Sequence, residues 1–312
     1  MTLLLRLYRD GRTDYAYQRE DRAFRPLPGV LSGQVHSWNV LSPGGTHLVF
    51  EDFEPRPRPV DPWGEFPSTG PHVLDLMTGA IHPLSAPGLE GRRTRLEFGV
   101  APDGRVAVAE NVMYAPEGRA VTSRDGVLAV SVSGPHASSA REIFRHQAGL
   151  LGNALDRPVQ WSPDGSRLAV SITDLAGDPM RPIPSRVLLL EPTTGDVVQT
   201  LDDVNTAGSA SWTPDGTRLL VTDRDGYYRL ADTETGALAP TSLPGPRPLG
   251  RRRWDVVGTA GNDALLIYRQ SGSTGRLSSR RLTDGHQREI AAWRGEIDMY
   301  LTAAQMPDGY WT

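Results

Sequence analysis

Two residue types are missing from this chain, and each absence excludes a class of site. There is no cysteine, so the chain can form no disulfide, no thiol nucleophile and no thiolate metal site. The absence of disulfides is consistent with a protein of a reducing compartment. There is no lysine either, so all 33 cationic side chains are arginine and no G-x-x-x-x-G-K phosphate loop can form. The N-terminal leucines end at Arg6, too early for a signal segment or a membrane span. We therefore expect a cytoplasmic protein with no membrane span.

A basic surface is also lacking. The net charge is −4 and the sequence pI is about 6.0, whereas a nucleic-acid binder needs a basic face. The one basic run, Arg251–Arg253 with Arg247 nearby, is either a solvated loop or a contact for an anionic ligand or partner. The sequence predicts no nucleic-acid partner.

What is present is a repeated phrase. The stretch "WSPDGSRLAVS" at 161–171 returns as "WTPDGTRLLVT" at 212–222. Pro, Asp and Gly in this order favour a tight reversal, and the aliphatic residues that follow favour a short buried strand. Residues 159–161 and 210–212 are predicted to form the partner strands. Each phrase therefore predicts a β-hairpin with a tryptophan packed beside its turn.

Weaker copies of the phrase recur along the chain, at intervals typical of propeller blades. They lie at 41–51, 100–110, 258–268 and 303–312. Each complete copy continues into a third strand, a turn that is often Thr-Gly, and a fourth strand, as at 187–201. Four strands per unit is the composition of one propeller blade.

The two chain ends complement each other. Residues 4–29 resemble 219–245, which are second, third and fourth strands, and the last copy supplies only a first strand. We therefore predict an all-β, six-bladed β-propeller with four antiparallel strands per blade, in which the C-terminal strand joins the N-terminal blade and closes the ring. We expect a single domain, 1–312, with blades at 1–29 plus 296–312, 36–87, 95–148, 157–204, 208–245 and 252–292.

The phrase W-[ST]-P-D-G-x-R-[LI], at 161 and 212 with decayed copies at 41, 100 and 305, resembles the TolB-like propellers, relatives of the WD-repeat type. That family includes periplasmic proteins that bind protein partners through the propeller, and propellers that gate prolyl-oligopeptidase-type peptidases. This chain shows neither the signal peptide and α/β domain of the first group nor the G-x-S-x-G nucleophile motif of the second. The resemblance implies the fold and says little about function.

The sequence shows no recognisable arrangement of catalytic or metal-binding residues. The seven histidines are dispersed, and no His-Glu-x-x-His pair occurs. Asp223 and Asp225 have the spacing of a calcium loop but lack its distal glutamate, so a hairpin turn is the better interpretation. We expect no metal and no cofactor.

Loop length is the more informative signal. Blades two, three and four carry long segments between second and third strands, at 51–71, 110–126 and 173–186, and all should emerge on one face. They combine proline with aromatic residues, which indicates either a recognition surface or staples that hold the loops onto the blades. The predicted ligand- or partner-binding residues are Asp61, Trp63, Glu65, Phe66, Tyr114, Arg119 and Arg181, opposite the channel-mouth acids Asp255 and Asp298.

Two functions follow. The first is a non-catalytic binding or scaffold module, taken as a monomer, that engages a protein or peptide partner across the loop-bearing face. The alternative is a small-molecule enzyme of lyase, cyclase or lactonase type, or a ligand binder, at the channel mouth. Side chains available for that chemistry near the first strands are Glu97, Gln160, Asp255, Glu296 and Asp298.

Overall fold

The structure, a computed structural model, describes most of the chain. The described residues are 3–9, 11–18, 23–26, 40–53, 68–84, 94–112, 127–134, 140–147, 159–173, 185–243 and 254–311. Within them the chain forms 24 β-strands and one short 3-10 turn, Pro43–Gly45. The prediction of an all-β fold is confirmed.

The strands form six antiparallel sheets of four strands each. The first twelve strands, in chain order, are β1 (Leu3–Arg9), β2 (Gly11–Gln18), β3 (Ala23–Pro26), β4 (Val40–Leu41), β5 (His47–Phe53), β6 (Ser68–Asp75), β7 (Ile81–Pro83), β8 (Thr94–Val100), β9 (Val106–Val112), β10 (Val127–Ser133), β11 (Ala140–Gln147) and β12 (Val159–Trp161). The remaining strands are β13 (Leu168–Thr173), β14 (Ser185–Leu190), β15 (Val197–Asp202), β16 (Val204–Thr206), β17 (Arg218–Asp223), β18 (Tyr228–Asp232), β19 (Leu238–Pro240), β20 (Trp254–Thr259), β21 (Ala264–Ser271), β22 (Thr274–Arg281), β23 (Gln287–Arg294) and β24 (Glu296–Ala303).

Five sheets are propeller blades built from four consecutive strands: β4–β7, β8–β11, β12–β15, β16–β19 and β20–β23. We number them blade two to blade six. The other sheet has the order β24-β1-β2-β3, with Leu5 opposite both Leu301 and Tyr15, and we call it the junction sheet. The prediction of six blades is wrong: there are five blades, because within the described residues only these five sheets are built from four consecutive strands, whereas the junction sheet joins β24 to the first three strands.

The innermost strands close a ring. β24 contacts β4, β4 contacts β8, β8 contacts β12, and β20 contacts β24. Between β12 and β20 the link is made by residues 207–212, since Gln160 bonds Ser211 and Ala210 forms a parallel bridge with Gly258. The sheets therefore surround a common centre, with the first strand of each facing it.

Blade five buries both faces of its second strand, which explains why that strand is continuously apolar. In blade five, Leu219 and Val221 pack with Trp212 against blade four, while Leu220 and Tyr228 pack against blade six. Blade six and the end of the chain, through Trp293 and Trp311, share one core cluster with blade two. The alternating arrangement holds the sheets rigidly around the centre.

Candidate functional site

The centre of the ring is a narrow cleft lined by the innermost segments of several sheets. Its empty volume, including the part open to solvent, is about 340 Å³. The polar side chains on its wall are Gln160, Ser209, Ser211 and Gln305, and Trp161 and Trp212 supply aromatic surface. These residues meet where the first strands run into the turns of the repeated phrase.

The first strand of blade five departs from the sequence prediction here. The strand that pairs with β17 is β16, Val204–Thr206, and the predicted strand 210–212 makes only isolated bridges. Leu220 accepts from the Ala207 N–H at 3.0 Å and donates to the Ser211 carbonyl at 2.7 Å, so residues 208–210 leave the sheet as a bulge. Gly208 has φ 77°, a conformation that favours glycine.

The bulge pairs with the neighbouring blade instead. The N–H groups of Ser209 and Ala210 donate to the Val257 carbonyl, and the Thr259 N–H donates to the Ala210 carbonyl. A Cβ at Gly208 would lie 2.3 Å from the Val257 oxygen, so the two backbones are in direct contact. Main chain thus closes the gap between blades five and six.

Gln160 of blade four completes the bulge from the other side. Its Nε2 donates to the Gly208 carbonyl at 3.0 Å and to Ser211 Oγ at 2.9 Å, and its Oε1 accepts from the Ser211 N–H at 3.0 Å. Residues of the bulge lack the backbone partners that a regular strand would give them. The Gln160 carboxamide, which has one carbonyl and one NH₂ group, supplies a donor and an acceptor in their place. The sequence analysis named Gln160 among the side chains available for small-molecule chemistry, but its carboxamide forms hydrogen bonds with atoms of the ring.

Hydrogen bonds tie the remaining sheets together at the same level. Trp161 Nε1 donates to the Gly99 carbonyl and Trp212 Nε1 to the Gln160 carbonyl, which link blade three to four and four to five. Thr259 and the Gln305 side chain bond at 3.2 Å, linking blade six to the chain end. The Gly44 N–H then donates to the Gln305 carbonyl at 2.6 Å, and Thr46 Oγ1 to the Pro102 carbonyl at 3.3 Å.

Ser209 connects the bulge to the junction sheet. Its hydroxyl accepts from the Ala303 N–H at 2.8 Å and lies 3.4 Å from the carbonyls of Ala303 and Val257. The polar groups on this wall thus form hydrogen bonds with other atoms of the ring. In this part of the cleft they hold neighbouring sheets together. No motif in the sequence marks the bulge; only the Gly208-Ser209 pair before Ala210-Ser211-Trp212 hints at it.

The turns of the repeated phrase form one end of the molecule, which we call the turn face. Asp164 accepts from Ser162 Oγ at 2.6 Å and from the N–H and hydroxyl of Ser166, and Asp215 accepts in the same way from Thr213 and Thr217. Partial burial alone would raise the pKa of both carboxyl groups, but these hydrogen bonds outweigh it and leave each pKa below its ordinary value of 3.8. The acids of this face therefore hold their own turns.

The opposite end is the loop face, where the second strands β5, β9 and β13 finish. The segments that follow them, 54–67, 113–126 and 174–184, lie outside the described residues. The predicted contacts in those segments, which therefore stay predictions, are Asp61, Trp63, Glu65, Phe66, Tyr114, Arg119 and Arg181.

The two predicted acids lie near the starts of innermost strands. Asp298 is in β24, and its side chain lies outside the described residues. Asp255 is in β20 and only 6% exposed. Its Oδ1 accepts from the Tyr228 hydroxyl and, at 2.9 Å, from the Val256 N–H. Asp255 thus joins blade six to blade five.

The part of the chain that the structure describes contains neither a cluster of metal ligands nor a membrane-spanning helix. There, no three His, Asp or Glu side chains cluster closely enough to hold a metal ion. Nor does any helix in those ranges have the length and hydropathy required to span a membrane.

Comparison with known proteins gives the fold. No family model matches the chain, and no curated protein matches it. Among solved structures, TolB from Acinetobacter baumannii is similar with a TM-score of 0.55 and 16% identity, over 98% of this chain and 66% of that one, so this chain spans about two thirds of its length.

Two further structures are similar over nearly their whole length. A protein from Lactobacillus plantarum has a TM-score of 0.50 and 16% identity, over 97% of this chain and 99% of that one. The periplasmic gluconolactonase of Pseudomonas aeruginosa has a TM-score of 0.45 and 14% identity, over 97% and 98%. At 16% identity, the likeness to TolB and to the Lactobacillus plantarum protein shows a TolB-like β-propeller fold and says nothing about activity.

Proposed function

We propose that this chain is a non-catalytic binding propeller that engages a protein or peptide partner through the loop face of blades two to four. The supporting observation is the asymmetry of the connections between second and third strands. In blades two, three and four these span 54–67, 113–126 and 174–184, whereas in blades five and six they span only 224–227 and 272–273. The strands β5, β9 and β13, after which the three long segments begin, belong to neighbouring blades.

The composition of these segments fits recognition. Trp63, Phe66 and Tyr114 offer aromatic anchors, and Arg119 and Arg181 offer planar donors for carboxylates and carbonyls. Asp61 and Glu65 add the opposite charge, so that one surface can satisfy mixed polar groups of a partner. The frequent prolines limit the conformational entropy lost on binding.

The central cleft favours binding over catalysis. A hydrolytic site needs polar groups aimed at a substrate, and the carboxamide of Gln160 and the hydroxyls of Ser209 and Ser211 are engaged with ring atoms. These contacts make the ring stiff, which suits a scaffold that presents loops.

The alternative is a small-molecule enzyme or ligand binder of lyase, cyclase or lactonase type at the channel mouth. It is supported by one observation: the hydroxyl of Tyr228 donates to the buried carboxylate of Asp255 close to the loop-face end of β20. A buried carboxylate with a hydroxyl partner is a polar contact that a small ligand at the channel mouth would use. Native mass spectrometry of the purified chain would detect a bound small molecule.

Affinity capture with matched variants tests the main proposal. The full chain, the loop-face variant Trp63→Ala with Tyr114→Ala, and the turn-face variant Asp103→Asn with Asp215→Asn are immobilised and exposed to lysate of the source organism. We expect a protein captured by the wild type to be retained by the turn-face variant and lost about tenfold from the loop-face variant, at nearly unchanged melting temperature. Loss of capture by the turn-face variant, with loop changes that lower only stability, would show that the aromatics are staples.

A further inference from the structure

Blade six carries a row of arginines on one face. Arg269 of β21 lies opposite Arg276 of β22, and Thr274 of β22 lies opposite Arg294 of β23. Directly opposite residues share a face at about 5 Å, and diagonal neighbours lie at roughly 7 Å. All three arginines are exposed. We call Arg269, Arg276 and Arg294, with Thr274 and Ala292 between them, the arginine face.

The charge on this face is only partly balanced. Glu289, the acid on the same side of β23, pairs with Arg276 at 3.3 Å. Within the described ranges Arg269 and Arg294 make no ion pair. Like charges placed directly opposite each other on a sheet destabilise it, and Arg269 faces Arg276. An anionic partner would remove that cost.

The sheet beneath the arginines is firmly held. On its other side Trp293 covers Gly275, where an added Cβ would lie 2.0 Å from the indole. Trp293, Leu277 and Ala291 all belong to a buried core cluster. The arginine face therefore lies on a sheet whose other side is packed into the core, so that a partner would order mainly the side chains.

The chain also offers apolar surface at the edge of the platform. Trp254 of β20 lies opposite Arg269, is partly buried and sits 6.2 Å from the Tyr228 ring. Arginine and tryptophan together are typical of the contacts that dominate protein–protein affinity.

We propose that the arginine face docks an acidic, extended segment of a protein, whose carboxylates pair with Arg269, Arg276 and Arg294. Guanidinium groups can bind carboxylates in a bidentate manner, and on this face a single contact between Arg276 Nη1 and Glu289 Oε2 at 3.3 Å already pairs an arginine with a carboxylate. Nucleic acid fits less well, because three arginines are few beside the roughly 6–10 phosphate contacts that a nucleic-acid binder can make.

This surface is separate from the loop face of blades two to four, so its test does not depend on the proposed function. The probe is a fluorescently labelled eight-residue peptide of alternating Glu and Thr, with the Gln-Thr peptide and a single-stranded DNA oligonucleotide as comparisons. The test variant is Arg269→Gln with Arg294→Gln. The matched control, Arg281→Gln with Arg288→Gln, removes two exposed charges from the opposite face of the same sheet.

We expect the Glu-Thr peptide to bind the wild type and the control equally, and the test variant about tenfold more weakly, with affinity falling as salt rises. The Gln-Thr peptide should not bind. Three results would overturn the proposal: equal weakening in test and control variants, tighter binding of DNA than of the acidic peptide, or no binding of the acidic peptide at millimolar concentration. Circular dichroism melts of both variants check that the fold is unchanged.

Discussion

Blades four and five share almost the same phrase and yet build their innermost strands differently. In blade four, Val159–Trp161 pairs directly with Leu168–Val170. In blade five, residues 208–210 leave the sheet and only Trp212 returns to pair with Leu219. The difference lies outside the phrase, in Gln160 of blade four, which supplies the polar atoms that the bulge needs. A repeat thus specifies its own turn, but its neighbour helps to decide the path of its first strand.

The largest effect in this comparison should come from Trp212→Ala. Trp212 is 1% exposed and packs between blades four and five, so its loss creates a cavity beside the bulge and should cost about 3–5 kcal/mol of the free energy of unfolding. Trp161→Ala, at 3% exposure, removes a comparable ring where there is no bulge and should cost less. Guanidinium denaturation of both variants measures the difference. A Trp161→Ala cost that exceeds the Trp212→Ala cost would contradict a special role for the bulge.

Gly208→Ala should come next. Its φ of 77° and the 2.3 Å approach to the Val257 oxygen require a backbone shift, so we expect a loss of about 2–3 kcal/mol. Gly216→Ala is a matched control, because its φ is 71° but its Cβ would meet only the Pro163 ring at 3.8 Å; about 1 kcal/mol is expected there. Thermal melts of both variants separate the cost of the steric clash at Gly208 from the cost of the positive φ, which both glycines share. Equal losses of stability would mean that the backbone at Gly208 shifts and removes the clash at no cost.

Gln160→Met removes the carboxamide at nearly constant volume. It leaves the Gly208 carbonyl and the Ser211 N–H without the Gln160 partner, which should cost about 1–3 kcal/mol. Hydrogen exchange should speed up at residues 207–211 of blade five while remaining unchanged at 168–173 of blade four. Uniformly faster exchange in both blades would show that Gln160 acts through general packing.

The smallest effect should come from the turns, where the two blades are alike. Asp164→Ala and Asp215→Ala each remove hydrogen bonds from an exposed turn and should cost about 0.5–1 kcal/mol at neutral pH. Because folding lowers the pKa of each carboxyl group, its contribution is present above pH 3.8 and is lost as the pH falls through the folded-state value. Melting curves of wild type and variants should therefore converge below that pH, and a gap that persists there would exclude the carboxylate as its cause.

The sequence predicted those features of the fold that depend on residues close together in the chain. The Pro-Asp-Gly turns and the aliphatic runs after them specified the hairpins, and the incomplete ends indicated that β24 pairs with β1. The bulge was missed because its stability depends on a side chain from another blade. The arginine face was missed for a similar reason, since Arg269, Arg276 and Arg294 meet only through the register of three strands. The loop-face contacts remain predictions.

The junction sheet sets the order in which the molecule can be completed. During synthesis β1, β2 and β3 emerge first, but the strand that covers the open edge of β1 is β24, which emerges last. Until then β1 presents unpaired backbone groups next to three consecutive leucines, Leu3–Leu5. The pairing of β24 with β1 joins Leu3 to Ala303, the largest sequence separation among the strand pairs that the structure describes, so we expect this step to be slow. A chain in which β24 has not yet paired exposes the edge of β1, and such an edge favours aggregation.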